Sequence, residues 1–450
     1  MHSLVLTTRT HTKTEAPYVL SGLTPTKTCK LSAWRPWTCR RSGASSYPRR
    51  TVFDLVAPTY HVTVLFAFSP PNPTDDVLID ALAATLPHFP LLTARLELRC
   101  RPDHPRRRPF FVTGKGGAGA LVVEAAVSSA LSDHLRLVPS PDLALLHTPV
   151  DKGTPHLLQL QINRFACGGP VIASSAHRQA ADGYSMSTFF YAWVDRPVPY
   201  GPGGLVPRCP PRCEFEHRGA EFLPLSSPHK NGASSRQAPV RVDPSEITNM
   251  LLHCTSGFVA KLKARAQNRY TTFETVSAHL WKKITVARGR VDDAAHTSLN
   301  VSVNGRARLG TDAVPRGFFG NVVLTAKSWT SARDLARGSL ADAAALVRAG
   351  VLAVDRMYFQ SFIDFGVLHG DEELEPFLYL YTCAKSDTGH FSLCEAFCTV
   401  AAHCPVTYFD TMSKFFLLVE SVGIVAQLLC YANQLIKIAQ IPAILIVSME

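Results

Sequence analysis

Short runs of β-branched and aromatic residues alternate with helix-like segments along most of this 450-residue chain. His61–Phe68 is such a run, with prolines close to both ends, and it predicts a strand. Residues 75–86 follow with apolar side chains near a helical period. Because strands and helices alternate through both halves, the sequence predicts a mixed α/β class. A chain of this length is too long for one compact core, so two domains are expected.

The glycine-rich residues 114–119 allow two interpretations, a nucleotide-binding turn and a hairpin turn. Residues 114–119 match the nucleotide-binding pattern G-x-G-x-x-G by their letters. A dinucleotide site needs those glycines to open a helix, whereas a Val-rich strand follows them here, so a hairpin turn is predicted instead.

Further on, the Ala- and Leu-rich residues 334–349 predict one helix.

Composition divides the chain into five segments. A basic, disordered leader (1–50) precedes an N-terminal domain (51–195) and a crossover linker rich in Pro, Gly and Ser (196–240). An incomplete C-terminal domain (241–376) and an atypical apolar tail (377–450) follow. The longest apolar run in the tail contains Glu420 and Gln427. A membrane span needs about 20 cleaner residues, so a poorly packed or foreign segment is predicted rather than a membrane anchor.

Charge and cysteines exclude several classes of function. The net charge of +11 comes from +8 in residues 1–50 and +4 in residues 99–108, which leaves the rest of the chain at −1 and gives no basic face for nucleic acid. The 12 cysteines have no framework spacing and no secretory signal precedes them, which predicts a cytoplasmic protein. Cys394, Cys398 and Cys404, with His390 and His403, fit no zinc spacing, so no metal is expected.

The residues best suited to chemistry lie at positions 174–187. A strand ends there, a turn containing His177 follows, and Asp182-Gly183 leads into a helix. Acyl transfer from a thioester to an amine or alcohol needs a base, and the pKa of histidine lies near working pH. His177 is therefore the candidate base, and Asp182 is a candidate to brace the turn.

This segment resembles the H-x-x-x-D-G signature of the BAHD acyltransferases. Other motifs resemble the same family, among them Thr51-Val-Phe-Asp54, Asn304-Gly-Arg-Ala-Arg308 and Gly317-Phe-Phe-Gly-Asn321, with further matches at 86–96, 164–168 and 272–281. Together the motifs cover about residues 51–376 in the family's order. The branch most resembled is that of the grass hydroxycinnamoyl-CoA transferases, which act on amines such as agmatine, tyramine or tryptamine.

The resemblance implies a two-domain, chloramphenicol-acetyltransferase-like fold with a channel between its halves. Acyl-CoA would enter from one face and a small amine or alcohol from the other, in a monomer that needs no metal and no bound cofactor beyond the CoA donor. Asp182 would be structural and pair with Arg306. The channel near the acyl donor would be lined by Gly317, Phe318, Phe319, Gly320 and Asn321.

Two departures from the family leave an alternative open. Arg178 stands where the signature has its histidine, and arginine stays protonated, so it cannot be the base. His177 precedes it and, in extended geometry, points to the opposite face, so it replaces the base only if the turn shifts by one residue. The family's late D-F-G-W-G element is not found, since Asp364-Phe-Gly366 continues with Val-Leu inside a helix-like segment. The alternative is a degenerate homologue that binds acyl-CoA without appreciable turnover.

Overall fold

A computed structural model describes much of the chain between residues 51 and 368 and several strands outside it. The described ranges are 4–6, 37–39, 51–57, 59–68, 70–101, 104–131, 145–148, 154–194, 250–254, 256–287, 296–315, 317–368, 390–393, 415–420, 423–426 and 443–449. Within them the elements are mixed helix and strand, and the predicted α/β class is confirmed.

The larger sheet has seven strands and carries the site. Along it the order is β1 (Leu4–Leu6), β6 (Ala120–Val127), β7 (Leu158–Phe165), β8 (Pro170–His177), β3 (His61–Phe68) and β15 (Ala443–Met449), with β2 (Trp37–Cys39) also paired to β6. Strand β8 pairs antiparallel with both β7 and β3, whereas β6 and β7 are parallel. The strand predicted at residues 61–68 is confirmed with the same bounds.

The second sheet has six strands. Its order is β11 (Val323–Ser331), β10 (His296–Asn304), β12 (His390–Leu393), β14 (Gly423–Ala426), β13 (Phe415–Glu420) and β9 (Met250–Cys254). Strands β10 and β11 form a nine-residue antiparallel pair, so the segment that joins them is held at one end of the sheet.

Helices pack around the two sheets. They are α1 (Val52–Val56), α2 (Asp75–Thr85), α3 (Gly183–Val194), α4 (Ser256–Arg265), α5 (Thr272–Ala287), α6 (Arg306–Leu309), α7 (Ala332–Arg337), α8 (Leu340–Ala353) and α9 (Arg356–Leu368). Each half contributes one aromatic ring to the core of the other. Phe53 of the first half packs into the core built by α5, α8 and α9, and Phe319 of the second half packs into the core built by α2 and α3. Burying a side chain of this size contributes about 1.5–3 kcal/mol to the free energy of unfolding, so these two rings hold the halves together.

The glycine-rich turn is not the hairpin that the sequence predicts. Strand β5 (His104–Val112) pairs with β4 (Arg95–Arg101) in a separate two-stranded sheet, whereas β6 after the turn joins the larger sheet. The turn carries the chain from one sheet to the other. A short 3-10 helix at Gly114–Gly116 makes the change of direction, and a strand follows it as expected.

The single helix predicted at residues 334–349 is also wrong. The structure has α7 and α8, separated by Gly338 and Ser339. The Ser339 side chain accepts from the backbone N–H of Asp342, whose carboxylate accepts from the N–H of Ser339 in return. This capping box starts a new helix, and its Ser-x-x-Asp spacing was readable in the sequence.

Other predictions fall outside the residues that the structure describes. The linker at 196–240, the leader apart from two short strands, and Cys394, Cys398, Cys404 and His403 lie there. The domain division and the nature of the tail therefore stay predictions, although backbone strands of the tail occur in both sheets. None of the helices described here is long and apolar enough to cross a bilayer.

Candidate active site

The turn that carries the candidate residues lies between β8 and α3. The strand is buried over all eight residues and ends at His177, whose N–H donates to the Leu157 carbonyl at 2.8 Å. The helix begins at Gly183 because Asp182 caps it: the carboxylate Oδ1 accepts from the Ser185 N–H at 2.9 Å. Aspartate is a favoured residue at this cap, since its carboxylate satisfies an N–H that the helix leaves unpaired.

Asp182 and Arg306, the two residues of the implied salt bridge, are in contact. Arg306 Nη1 donates to Asp182 Oδ2 at 2.7 Å, and the side chains are 11% and 3% exposed. The same Oδ2 accepts from the Val322 N–H at 3.0 Å. A carboxylate buried this deeply needs such partners, because an uncompensated buried charge costs several kcal/mol. The pair therefore ties the first helix after the turn to the second half of the chain.

Ser185 and Gly320 extend this connection. Arg306 Nη2 donates to the Ser185 hydroxyl at 2.9 Å and to the Gly320 carbonyl at 2.8 Å, and the hydroxyl also donates to that carbonyl at 2.8 Å. Gly320 has φ of 151°, and a Cβ there would meet the Phe318 ring at 3.1 Å. Glycine is favoured at this position because other residues rarely adopt this backbone conformation.

Asn321 fixes the turn from the other side. Its Nδ2 donates to the Arg178 carbonyl at 3.0 Å and to Asp54 Oδ1 at 2.9 Å, with the Gln179 carbonyl at 3.2 Å. The other oxygen of Asp54 accepts from the N–H of Thr51 at 2.8 Å and from its hydroxyl at 2.9 Å. Asp54 thus caps α1 and orients the Asn321 amide, which holds the turn by its backbone.

His177 is buried against a second histidine. It is 8% exposed and lies opposite His61 on β3, with the ring centroids 4.9 Å apart at 83°. His61 Nε2 donates to the His156 carbonyl at 2.9 Å, and burial lowers the pKa of His61, which favours its neutral ring. The turn is not shifted by one residue, because His177 stays in register with β3.

Hydrogen bonding fixes the tautomer of a neutral His177. Its Nδ1 accepts from the Gln179 N–H at 3.3 Å, so the proton of a neutral ring is on Nε2. To act as a base at Nδ1, the ring must give up that hydrogen bond, which is long and worth about 1 kcal/mol or less. His177 can therefore accept a proton only after a local rearrangement.

Arg178 and the two phenylalanines of the 317–321 segment occupy different surroundings. Arg178 is half-buried, and its N–H donates to the Tyr60 carbonyl at 2.9 Å. Phe318 is 5% exposed and lies 5.8 Å from the Arg306 guanidinium, and Phe319 is 1% exposed and packs edge-on against Phe89. Both rings are packed in the protein interior, so their contact with an acyl donor stays a prediction.

Sequence reasoning missed three residues of this arrangement. The Ser185 hydroxyl accepts from the Gly320 N–H and donates to the Gly320 carbonyl, and the Asp54 carboxylate accepts from the Asn321 amide. The backbone of Gln179 donates to His177 and accepts from Asn321. The Thr-x-x-Asp spacing at residues 51–54 indicated a capping box, but a capping box alone does not indicate a contact 267 residues away.

Comparisons with known proteins show which family the chain resembles over most of its length. Residues 50–396 match the family described as the Transferase family. Tryptamine hydroxycinnamoyltransferase 2 of Oryza sativa subsp. japonica is 34% identical over 359 residues, which cover 75% of this chain and 77% of that protein. Agmatine hydroxycinnamoyltransferase 1 of the same organism is 33% identical over 331 residues, 70% of this chain and 72% of the relative.

A solved structure shares the fold. The crystal structure of vinorine synthase matches with a TM-score of 0.53 and 16% identity, over 78% of this chain and 82% of that chain. This likeness supports the chloramphenicol-acetyltransferase-like architecture that the resemblance implies. With the family match over most of its length and the Asp182–Arg306 pair in place, the chain belongs to the BAHD family of acyl-CoA-dependent acyltransferases.

Proposed function

We propose that this protein transfers a hydroxycinnamoyl-type acyl group from acyl-CoA to a small amine. The observation that carries the proposal is the strand–turn–helix at residues 170–194, tied to the second half of the chain by Asp182 and Arg306. Two relatives are named for hydroxycinnamoyl transfer to tryptamine and to agmatine. These relatives are named as transferases, which gives no support to a degenerate homologue.

An amine acceptor fits Arg178 better than an alcohol does. A neutral amine attacks a thioester through its own lone pair and loses its proton afterwards, whereas an alcohol has to lose its proton as it attacks. Arg178 cannot take that proton in either case. A site with a weakened base therefore retains more activity with amines.

The proposal gives each residue of the turn a role. His177 accepts the proton of the attacking amine after the turn moves from the register seen in the structure and Nδ1 leaves the Gln179 N–H, and it gives that proton to the departing CoA thiolate. The Arg178 guanidinium stabilises the negative charge that develops on the thioester oxygen. Asp182 and Arg306 position the turn, and residues 317–321 contact the acyl donor. Acyl-CoA is the co-substrate, and no metal or bound cofactor is required.

The test is an acyl-transfer assay with purified protein, p-coumaroyl-CoA and a panel of amines, in which free thiol release is followed. We expect turnover with at least one amine, and a kcat about 10-fold or more higher in Arg178→His, because it restores a base at the signature position. His177→Ala should lower kcat, whereas His88→Ala, in the turn after α2, serves as the control histidine. No thiol release with any amine would contradict the proposed function.

We further propose that the protein is cytoplasmic, because its cysteines have no framework spacing, and that it is a monomer, as the resemblance to the family implies. Size-exclusion chromatography with light scattering should give a mass near 49.2 kDa. A dimer would contradict this part of the proposal. Turnover that EDTA abolishes would contradict the absence of a metal.

A further inference from the structure

One peptide unit connects the Asn321 amide to the candidate base. The carbonyl of this unit, that of Arg178, accepts from Asn321 Nδ2 at 3.0 Å. Its N–H, that of Gln179, donates to His177 Nδ1 at 3.3 Å. A peptide unit is planar, so its C=O and N–H rotate together. A rotation that frees His177 Nδ1 therefore also breaks the hydrogen bond from Asn321.

Three oxygen acceptors fix the orientation of the Asn321 amide. Its Nδ2 donates to the carbonyls of Arg178 and Gln179, and to the Asp54 carboxylate at 2.9 Å. An amide turned over would place its own oxygen against these acceptors and lose the three bonds. Asn321 and Asp54 are 6% and 3% exposed, so little water competes for the contacts.

Asp54 is itself held in place at the start of α1. Its Oδ2 accepts from the Thr51 N–H at 2.8 Å and from the Thr51 hydroxyl at 2.9 Å, and the neighbouring Phe53 packs into the core of the second half. A hydrogen bond to a carboxylate is stronger than one between neutral groups. Asn321 thus ties the peptide unit to a buried charge that does not belong to the turn.

This geometry opposes the proton transfer proposed above. His177 accepts a proton at Nδ1 only after the turn leaves the register in which His177 pairs with His61. The bonds from Asn321 to the turn are made in that register and lost on rotation, whereas its bond to Asp54 does not involve the turn. Only interactions that differ between two states change their populations, so the bonds to the turn lower the fraction of molecules with a free Nδ1.

We propose that Asn321 and Asp54 form a latch on the peptide unit between residues 178 and 179, and that this latch sets the fraction of molecules in which His177 can act as the base. The inference rests on the proposed function and adds a control on its turn. Asn321 and Asp54 are positioning residues, since they act on His177 through the peptide unit. Opening the latch favours a base that has to move and disfavours a base that is already in place.

The test measures kcat for Asn321→Ala in two backgrounds, with p-coumaroyl-CoA and an amine that supports turnover. The smaller side chain leaves room for a water at the three acceptors. With Arg178 present, kcat should rise about 3- to 10-fold, because the resting register loses hydrogen bonds that the moved turn does not make. His177→Ala should abolish this gain.

The second background is Arg178→His, which places a base at the signature position without any shift of the turn. There Asn321→Ala should lower kcat about 3- to 10-fold, because the turn that carries the base is no longer held. Asn321 is also expected to lie near the acyl donor, and weaker donor binding would raise KM in both backgrounds alike. Opposite signs in kcat are therefore the distinguishing result.

Asn163 provides the matched control. It is a fully buried asparagine on β7, and its Nδ2 also donates to two backbone carbonyls, those of Leu146 at 2.8 Å and Val171 at 2.9 Å. Asn163→Ala removes the same kind of bridge away from the turn. It should lower the Tm and raise kcat in neither background.

A milder variant covers the case in which Asn321→Ala does not fold. Asp54→Asn keeps the shape of the latch and removes its charge, so the changes in kcat should have the same signs and be about 2- to 3-fold. Asp342→Asn is its control, because Asp342 belongs to a capping box of the same kind on α8.

Amide hydrogen exchange separates the latch from the proposed function. The Gln179 N–H is bonded to Nδ1 only while the latch is closed, so Asn321→Ala should speed its exchange about 3- to 10-fold. The His177 N–H, bonded to the Leu157 carbonyl at 2.8 Å, should change by less than about 2-fold.

The outcomes are distinct. If no amine is acylated but the Gln179 N–H exchanges selectively faster in Asn321→Ala, the proposed function fails and the latch stands. A lower kcat in both backgrounds, an unchanged kcat in both, or equal acceleration of the Gln179 and His177 N–H groups would overturn the latch.

Discussion

Removing the Arg306 side chain should destabilise the protein more than any exposed ion pair could. Arg306→Met keeps most of the aliphatic length but leaves Asp182, 3% exposed, without its cation. Breaking a buried pair from one side costs about 3–5 kcal/mol. Asp182 retains the N–H groups of Ser185 and Val322, so we expect the lower end, about 3 kcal/mol.

The assay is urea unfolding followed by the fluorescence of Trp193 and Trp281, two buried indoles that lie in different halves. Asp182→Asn should cost less, because its amide oxygen can still accept from the helix N–H. In the double variant the losses should fall short of the sum by about 1–3 kcal/mol. A loss below about 1 kcal/mol in Arg306→Met, or strict additivity, would refute this account of the pair.

Two further predictions concern stability. Burial lowers the pKa of His61 from its ordinary value of 6.5, so the unfolded chain binds protons that the folded chain does not, and the free energy of unfolding should fall as pH drops below about 6.5. His61→Gln should flatten that dependence in urea titrations, and an unchanged slope would contradict it. A Cβ at position 305 would lie 2.4 Å from the fully buried Phe359 ring, so Gly305→Ala should cost about 1–3 kcal/mol by thermal unfolding. Gly257→Ala is its control, since nothing lies within 4 Å there; equal Tm values for the two variants would count against the clash.

Local signals in the sequence were sufficient for much of the fold. The β-branched run at residues 61–68 and the Asp-Gly pair before α3 each gave the element that the structure shows. The two wrong predictions have different causes, one local and one not. The prediction of one helix over 334–349 overlooks Gly338, which follows the end of α7, and Ser339, which caps the start of α8. The hairpin predicted at 114–119 is wrong because a turn alone does not encode which strands pair.

The sequence by itself determined the family and the strand–turn–helix with His177 and Arg178, because these depend on residue types at fixed spacings along the chain. The pairing of Asp182 with Arg306 was implied only by the resemblance to the family. Only the tertiary structure decided which carboxylates are satisfied. Asp54 reaches Asn321 across 267 positions, and Asp182 reaches Arg306 across 124. Among the residues that the structure describes, Asp364 Oδ2 has no hydrogen-bond partner, for the same physical reason: burial and hydrogen-bond supply are set by how distant segments pack, and sequence spacing carries no record of that packing.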